Sequence, residues 1–250
     1  MSDYRQSGSV SPIPLTKAVK WIMILTVGTW FLLQVLGEGL FKLNITEHLA
    51  LYPGKVFLEG RVWQLLTYMF LHSTNITHIL FNMLMLWFFG AALEMRWGQK
   101  YFWIYYLASG VGAALIYSLC MLIYSAVSAS QMGLIVPVIG ASGAVYALLL
   151  AYGVMFANET MYFFFVFPMK AKYFVILMGL IQFASFLTTR FDGGEVAYLA
   201  HLGGLAAGGI LLLIKRMGRG GQGRVGRSPK KQGKLRLIVN NDQKGPKYWN

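Results

Sequence analysis

Residues Val138–Ala147 read VIGASGAVYA, an apolar run in which glycines stand close on both sides of Ser142. Small residues continue at four-residue steps, at Ala147 and Ala151. Two interpretations of this stretch are open. Gly, Ala and Ser on one face allow two membrane helices to approach closely. Alternatively, the serine is a nucleophile, and free backbone N–H groups beside it stabilise the oxyanion that forms on the attacked carbonyl. Gly-x-Ser-Gly alone does not decide between them.

The composition is that of a membrane protein. Of the 250 residues, 56% are hydrophobic and 12% are charged, about half the charged fraction of an ordinary soluble domain. The mean hydropathy is +0.54. Because a soluble fold of this length would have to hide too much apolar surface, we predict a polytopic membrane protein. Cys120 is the only cysteine in the sequence, which excludes an intramolecular disulfide.

Six apolar stretches are candidates to cross the membrane, and lipid offers their backbones no hydrogen-bond partner, so each must be helical. We therefore predict an all-α bundle of six transmembrane helices at Trp21–Leu36, Ile76–Leu93, Tyr101–Tyr124, Val138–Ala157, Tyr173–Thr188 and Val196–Ile214. The predicted regions are a leader (1–16), a membrane domain (17–214) and a basic, disordered tail (215–250).

The distribution of cations predicts the orientation. With six spans both termini lie on one side of the membrane, and that side carries most of the 22 Lys and Arg. By the positive-inside rule this side is the cytoplasm. The fourth and sixth spans then both start from the outer side, and so does the second. This places Ser142, His201, His78 and Asn82 at a similar depth near the outer face.

Helical phase brings two of these side chains together. On the sixth span, His201 shares a stripe with Ala197, Gly204 and Gly208, at steps of three and four residues. The fourth span has a matching small face beside Ser142. We expect the two faces to pack closely. An interhelical hydrogen bond worth roughly 0.6–2 kcal/mol is the structural alternative, but ionisable groups within membrane spans are costly and usually functional.

The residue types suit nucleophilic catalysis. A serine hydroxyl needs a base to accept its proton, and imidazole does this near neutral pH. Since no acid lies close to His201 in the sequence, we predict a Ser–His dyad. Tyr146, one turn from Ser142, is placed to stack on the imidazole. The side chains of His78 and Asn82, with the Ser142 backbone N–H, are candidates to hold an oxyanion.

These residues resemble the motifs of the rhomboid family of intramembrane serine proteases. The resemblance covers roughly residues 59–214 and rests on HILFN (78–82), EMRWG (94–98), GASG (140–143) with Tyr146-Ala147, and AHLGG (200–204) with Gly208. It implies Ser142 as nucleophile and His201 as general base. It also implies oxyanion or supporting roles for His78, Asn82, Gly140 and Tyr146, and a six-helix bundle with a water-filled pocket.

Two further positions bear on how the bundle is anchored. Rhomboid sequences often carry Trp-Arg in the loop between the first two spans, whereas here the pair is Trp63-Gln64. The nearest cation that can compensate is Arg61, so the anchoring of this loop is open. Glu94 is predicted to brace the end of the second helix rather than to act in catalysis.

The predicted function is an intramembrane endopeptidase that cleaves other proteins in or near their transmembrane segments, in the plasma (inner) membrane of a prokaryote. The alternatives are a catalytically silent, client-binding relative, which the presence of both Ser142 and His201 disfavours, and a transporter, for which no inverted repeat is visible. We predict no metal, because His72 and His78 lack an HExxH motif or a carboxylate cluster, and no other cofactor. Lipids are expected partners, with anionic headgroups at the basic tail; nucleic acid is not.

Overall fold

The computed structural model describes residues 13–128, 130–163, 166–188 and 196–222. Its long helices are α1 (Lys17–Thr29, continued as a π-helix over Trp30–Leu40), α5 (Ile76–Trp97), α6 (Gln99–Ser128), α8 (Ser142–Met155), α9 (Ala171–Thr188) and α10 (Val196–Gln222). The short helices are α2 (Ile45–Leu49), α3 (Pro53–Leu58), α4 (Gln64–Thr67, continued as a 3₁₀ turn over Tyr68–Phe70) and α7 (Met132–Ile135). Strands β1 (Thr160–Phe163) and β2 (Phe167–Lys170) pair antiparallel, a hairpin that the sequence analysis did not predict.

The predicted helical membrane bundle is confirmed, but the count of six full-length spans is not. Among the described residues, five helices are long and apolar enough to cross a membrane. The exception is α8, predicted as Val138–Ala157 but only 14 residues long. At about 1.5 Å per residue it spans about 21 Å, less than the roughly 30 Å hydrocarbon core.

The fourth helix starts late because its first predicted residues bond elsewhere. The N–H and C=O of Val138 pair with those of Leu51 in an isolated antiparallel bridge. Gly140 then has a φ of +123°, a value incompatible with a right-handed helix. The helix therefore begins only at Ser142, which places the hydroxyl at its N-terminus.

Helix α8 lies at the centre of the bundle, against α5, α6, α9 and α10. Its tightest neighbour is α10: a Cβ atom at Gly204 would overlap the carbonyl oxygen of Gly143, and one at Gly208 would lie 2.7 Å from the Cβ of Ala147. The predicted packing of two small-residue faces is thus confirmed. Backbone approach this close is possible only where neither helix carries a side chain at the crossing.

Glu94 joins two helices at their ends. Its carboxylate, almost completely buried, accepts hydrogen bonds from the backbone N–H groups of Ala18 (2.9 Å) and Val19 (3.0 Å) and from the hydroxyl of Thr16. These N–H groups belong to the first turn of α1, which has no partner for them within the helix. The carboxylate also carries the charge that a helix N-terminus favours. Glu94 therefore braces the end of α5 by capping α1.

The predicted boundary between membrane domain and tail lies inside a helix, because α10 continues past Ile214 to Gln222. Residues 1–12 of the predicted leader and 223–250 of the predicted tail lie outside the described residues. The disorder expected for the tail stays a prediction.

We predict that Gly204→Ala destabilises the protein, because the new methyl group has only the backbone of Gly143 to displace. Overpacking of this kind costs about 1–3 kcal/mol of unfolding free energy. Gly209→Ala is the matched control on the same helix, since its Cβ would meet Leu150 at an ordinary 3.5 Å. Thermal unfolding of the purified variants measures the difference, and equal melting temperatures would contradict the packing described for α8 and α10.

Candidate active site

Ser142 and His201 are in hydrogen-bond contact. The Oγ atom of Ser142, at the start of α8, lies 2.8 Å from Nε2 of His201 on α10. The helices cross at Gly143, the residue after Ser142, and at Gly204, one turn after His201, which is why these two side chains reach each other. The N-cap residue of α8 is Ala141, whose side chain makes no capping hydrogen bond. The first N–H groups of α8, that of Ser142 included, lack helical partners and carry the positive end of the helix dipole.

Tyr146 holds the plane of the imidazole. Its ring stacks on that of His201 with a centroid separation of 4.4 Å and an interplanar angle of 19°. The two residues come from different helices, and Tyr146 lies one turn after Ser142. The stacking predicted from the sequence is therefore confirmed, and it restricts rotation of the imidazole that faces the serine.

His78 presents a hydrogen-bond donor to the same space. The backbone N–H of Ser73 donates to Nδ1 of His78 (3.4 Å), and the Ser73 hydroxyl is 3.2 Å from the same atom. Because Nδ1 accepts, the ring proton lies on Nε2. Nε2 would lie 3.0 Å from a Cβ at Gly140, and Ser142 Oγ 3.8 Å from it. The donor and the hydroxyl therefore flank one small volume beside Gly140.

Asn82 lies one turn further along α5 and is almost fully buried. Its Nδ2 donates to the carbonyl oxygen of His78 at 2.9 Å. An amide nitrogen carries two hydrogens, so a second donor remains on the side chain that lines the cavity. Both residues predicted as oxyanion donors thus line the same cavity as Ser142.

Backbone hydrogen bonds at three residues hold the segment before Ser142. Val138 pairs with Leu51, Gly140 N–H donates to the Tyr68 carbonyl at 2.9 Å, and Ala141 N–H donates to Nε2 of His72 at 3.4 Å. Burial, followed by the charge of His78, lowers the pKa of His72 to about 3. His72 therefore stays neutral, and its Nε2 keeps the lone pair that the Ala141 N–H requires.

His72 and His78 lie side by side in the site. Their ring centroids are 5.0 Å apart, and each ring has a structural contact of its own. Over the described part of the chain, no group of three or more His, Cys, Asp or Glu side chains comes together in a way that could hold a metal ion.

Three supporting residues were missed by the sequence analysis. Gln182 on α9 places Oε1 2.7 Å from Nδ1 of His201. On the π-helical part of α1, Gln34 Oε1 accepts a hydrogen bond from the backbone N–H of His72 at 2.7 Å. On the same part, Trp30 Nε1 donates to the Ser73 carbonyl at 3.1 Å. A glutamine in an apolar span is itself a signal, because a polar group there needs a partner. Which partner it has depends on the fold.

The site opens into a cavity of about 490 Å³. Its polar lining consists mainly of His78, Asn82, Ser142 and His201, and the rest is largely apolar. The lining includes Met85 of α5 and Met178 of α9. Its volume falls in the range of sites that enclose small ligands or a short peptide segment.

The loop that differed from the rhomboid pattern is well anchored. Gln64 is fully buried; its Oε1 accepts the Tyr52 N–H (3.1 Å) and its Nε2 donates to the His48 carbonyl (3.3 Å). Trp63 Nε1 donates to that same carbonyl at 3.0 Å. Arg61 forms an ion pair with Glu59, and its Nη1 donates to the Glu47 carbonyl at 3.5 Å. Gln64, Trp63 and Arg61 thus all secure the loop.

Fold and site together define an integral membrane protein whose helical bundle encloses a Ser–His pair. The Rhomboid domain family matches residues 59–217, more than half of the chain. The chain therefore belongs to the rhomboid family, whose members are typically serine intramembrane proteases.

Curated relatives agree with this assignment. The chain is 31% identical over 170 residues to RHOMBOID-like protein 12, mitochondrial, of Arabidopsis thaliana, covering 65% of this chain and 49% of that protein. It is 30% identical over 214 residues to Rhomboid-related protein 3 of Homo sapiens (77% and 48%). It is 30% identical over 184 residues to Rhomboid protease GluP of Bacillus subtilis strain 168 (72% and 31%). The chain thus spans half or less of the length of these relatives.

We predict that Gly140→Ala lowers the reactivity of Ser142. The substitution strains a backbone with a φ of +123° and pushes a methyl group against Nε2 of His78. Loss of one oxyanion donor costs about 10²-fold or more in rate, and the labelling rate of Ser142 by a fluorophosphonate should fall by about that factor. Gly60→Ala is the matched control, because Gly60 also has a positive φ (+69°) but open space around it. Equal labelling rates in the two variants would contradict the placement of His78.

Proposed function

We propose that this protein is a serine endopeptidase that hydrolyses peptide bonds in or near the transmembrane segments of other membrane proteins. The observation that carries the proposal is the 2.8 Å contact between Ser142 Oγ and His201 Nε2, inside a cavity that also holds His78 and Asn82. Family membership supports it, and one relative, GluP, is named a rhomboid protease.

In the first step, Ser142 Oγ attacks the carbonyl carbon of the scissile peptide bond while His201 Nε2 takes the hydroxyl proton. The carbonyl oxygen becomes an oxyanion. The Ser142 N–H, at the helix N-terminus, and His78 Nε2–H donate to it, with the second N–H of Asn82. Because these donors are held before substrate arrives, little reorganisation is needed as the charge develops.

In the second step, the protonated imidazole of His201 gives its proton to the leaving amine nitrogen, the C–N bond breaks and an acyl ester remains on Ser142. A water molecule then loses a proton to His201 and attacks the ester carbonyl. The tetrahedral intermediate collapses with return of the proton to Ser142 Oγ. The products are a new amine and a new carboxylate, and the enzyme is restored.

The buried site restricts the conformation of its substrate. In an intact helix each carbonyl is bonded to an N–H four residues later and lies along the helix wall. The scissile carbonyl must instead enter the cavity and face Ser142 with its oxygen toward His78. We therefore expect cleavage in segments with small or helix-breaking residues, which unwind at lower cost.

We predict that Ser142→Ala and His201→Ala each reduce cleavage of a model single-span substrate in proteoliposomes by at least about 10³-fold. Either change removes one half of the nucleophile–base pair. Ser118→Ala is the matched control, because Ser118 is a fully buried serine on α6 whose hydroxyl has no hydrogen-bond partner among the residues that the structure describes. Cleavage that persists in Ser142→Ala, with the purified protein free of other proteases, would exclude this mechanism.

We also infer from the cation distribution that both termini are cytoplasmic, and we propose the plasma membrane of a prokaryote as the location. A fusion of alkaline phosphatase to residue 250, expressed in a bacterium, should be inactive, and a green fluorescent protein fusion there should fluoresce. A phosphatase fusion truncated at Lys42, just beyond the first helix, is the control and should be active. An active phosphatase at residue 250 would reverse the assigned orientation.

A further inference from the structure

Gln182 is a further polar side chain in contact with the Ser–His pair. It lies on α9, is 7% exposed, and its Oε1 is 2.7 Å from Nδ1 of His201. We propose that Gln182 is a positioning residue that holds His201 in the tautomer able to act as a base, an inference that rests on the function proposed above. Its oxygen faces Nδ1, whereas Ser142 faces Nε2, so Gln182 acts through the imidazole.

The geometry determines which nitrogen carries the proton. A side-chain amide oxygen accepts hydrogen bonds and cannot donate one. With Oε1 facing Nδ1, the neutral imidazole of His201 carries its proton on Nδ1, and the lone pair of Nε2 faces the Ser142 hydroxyl. In the other tautomer Nε2–H would itself donate to Ser142 and could not accept its proton. Mis-setting the tautomer of a catalytic histidine lowers turnover by up to about 10⁴-fold in a serine protease.

An amide suits this position better than a carboxylate. In soluble serine proteases an aspartate occupies the corresponding place next to the histidine. Here the group is buried within a membrane domain, where an ionised carboxylate without a cation is costly. Glutamine supplies the oriented acceptor with no net charge. It orients the imidazole but stabilises the imidazolium less than a carboxylate would.

Two helices hold the imidazole. Tyr146 on α8 stacks its ring on that of His201, and Gln182 on α9 lies against Nδ1. The imidazole is therefore fixed in plane by α8 and in tautomer by α9. Met178, one turn before Gln182 on α9, lines the active-site cavity. Any displacement of α9 that widens the cavity would move Gln182 away from Nδ1.

The test compares Gln182→Met, which keeps the length of the side chain but removes the acceptor, with Gln182→Glu, which restores an acceptor oxygen. We measure kcat and KM for a single-span substrate against pH. Gln182→Met should lower kcat at least about tenfold with little change in KM, since only the base is affected. Gln182→Glu should recover most of kcat and move the acidic limb of its pH profile to higher pH, because a carboxylate stabilises the protonated imidazole.

A second readout does not require activity. Nitrogen-15 NMR of histidine-labelled protein, with His201 assigned by comparison with His201→Gln, distinguishes a proton on Nδ1 from one on Nε2. The wild type should show it on Nδ1, and Gln182→Met should lose that preference. If this holds in a protein that cleaves nothing, the proposed function fails while the positioning role stands. An unchanged tautomer together with an unchanged pH profile and kcat in Gln182→Met would overturn the role of Gln182.

Discussion

The backbone contact between α8 and α10 is the constraint on which the rest of the site depends. At the crossing of Gly143 and Gly204 no side chain separates the helices. Ser142 precedes the first glycine and His201 lies one turn before the second, so the hydroxyl and the imidazole meet at 2.8 Å. A larger residue at Gly204 would push α10 away from the backbone of α8. A hydrogen bond does not survive such a displacement.

The nucleophile and the base are held in different ways. The segment from Val138 to Ala141 is bonded to Leu51, Tyr68 and His72, and His72 is bonded in turn to the π-helical part of α1. Because of these bonds α8 begins only at Ser142, and the first N–H groups of the helix are left free for an oxyanion. On the opposite side of the imidazole, the hydrogen bond that the described residues show from α9 to His201 is that of Gln182. The nucleophile is thus held by several backbone hydrogen bonds, whereas the tautomer of the base depends on the position of α9.

Much of this arrangement could be predicted from the sequence, and the reasons are local. The small faces of the fourth and sixth spans follow from helical periodicity, and Ser142, Tyr146 and His201 follow from their positions on those faces. The short length of α8 could not be predicted, because hydropathy does not register a bridge between Val138 and Leu51. Gln182 was missed for a similar reason. Its partner is 19 positions away in the chain, and only the crossing of α9 with α10 brings them together.

The central claim is that Ser142 attacks a carbonyl carbon, and that the resulting oxyanion points at His78 and at the backbone N–H of Ser142. An experimental structure of the protein after reaction with a fluorophosphonate tests it most directly, since the tetrahedral phosphorus mimics the intermediate. The account predicts a bond from phosphorus to Ser142 Oγ, with the phosphonyl oxygen about 2.7–3.1 Å from His78 Nε2 and from the Ser142 nitrogen. An adduct on another residue, or a phosphonyl oxygen directed away from both donors, would contradict it.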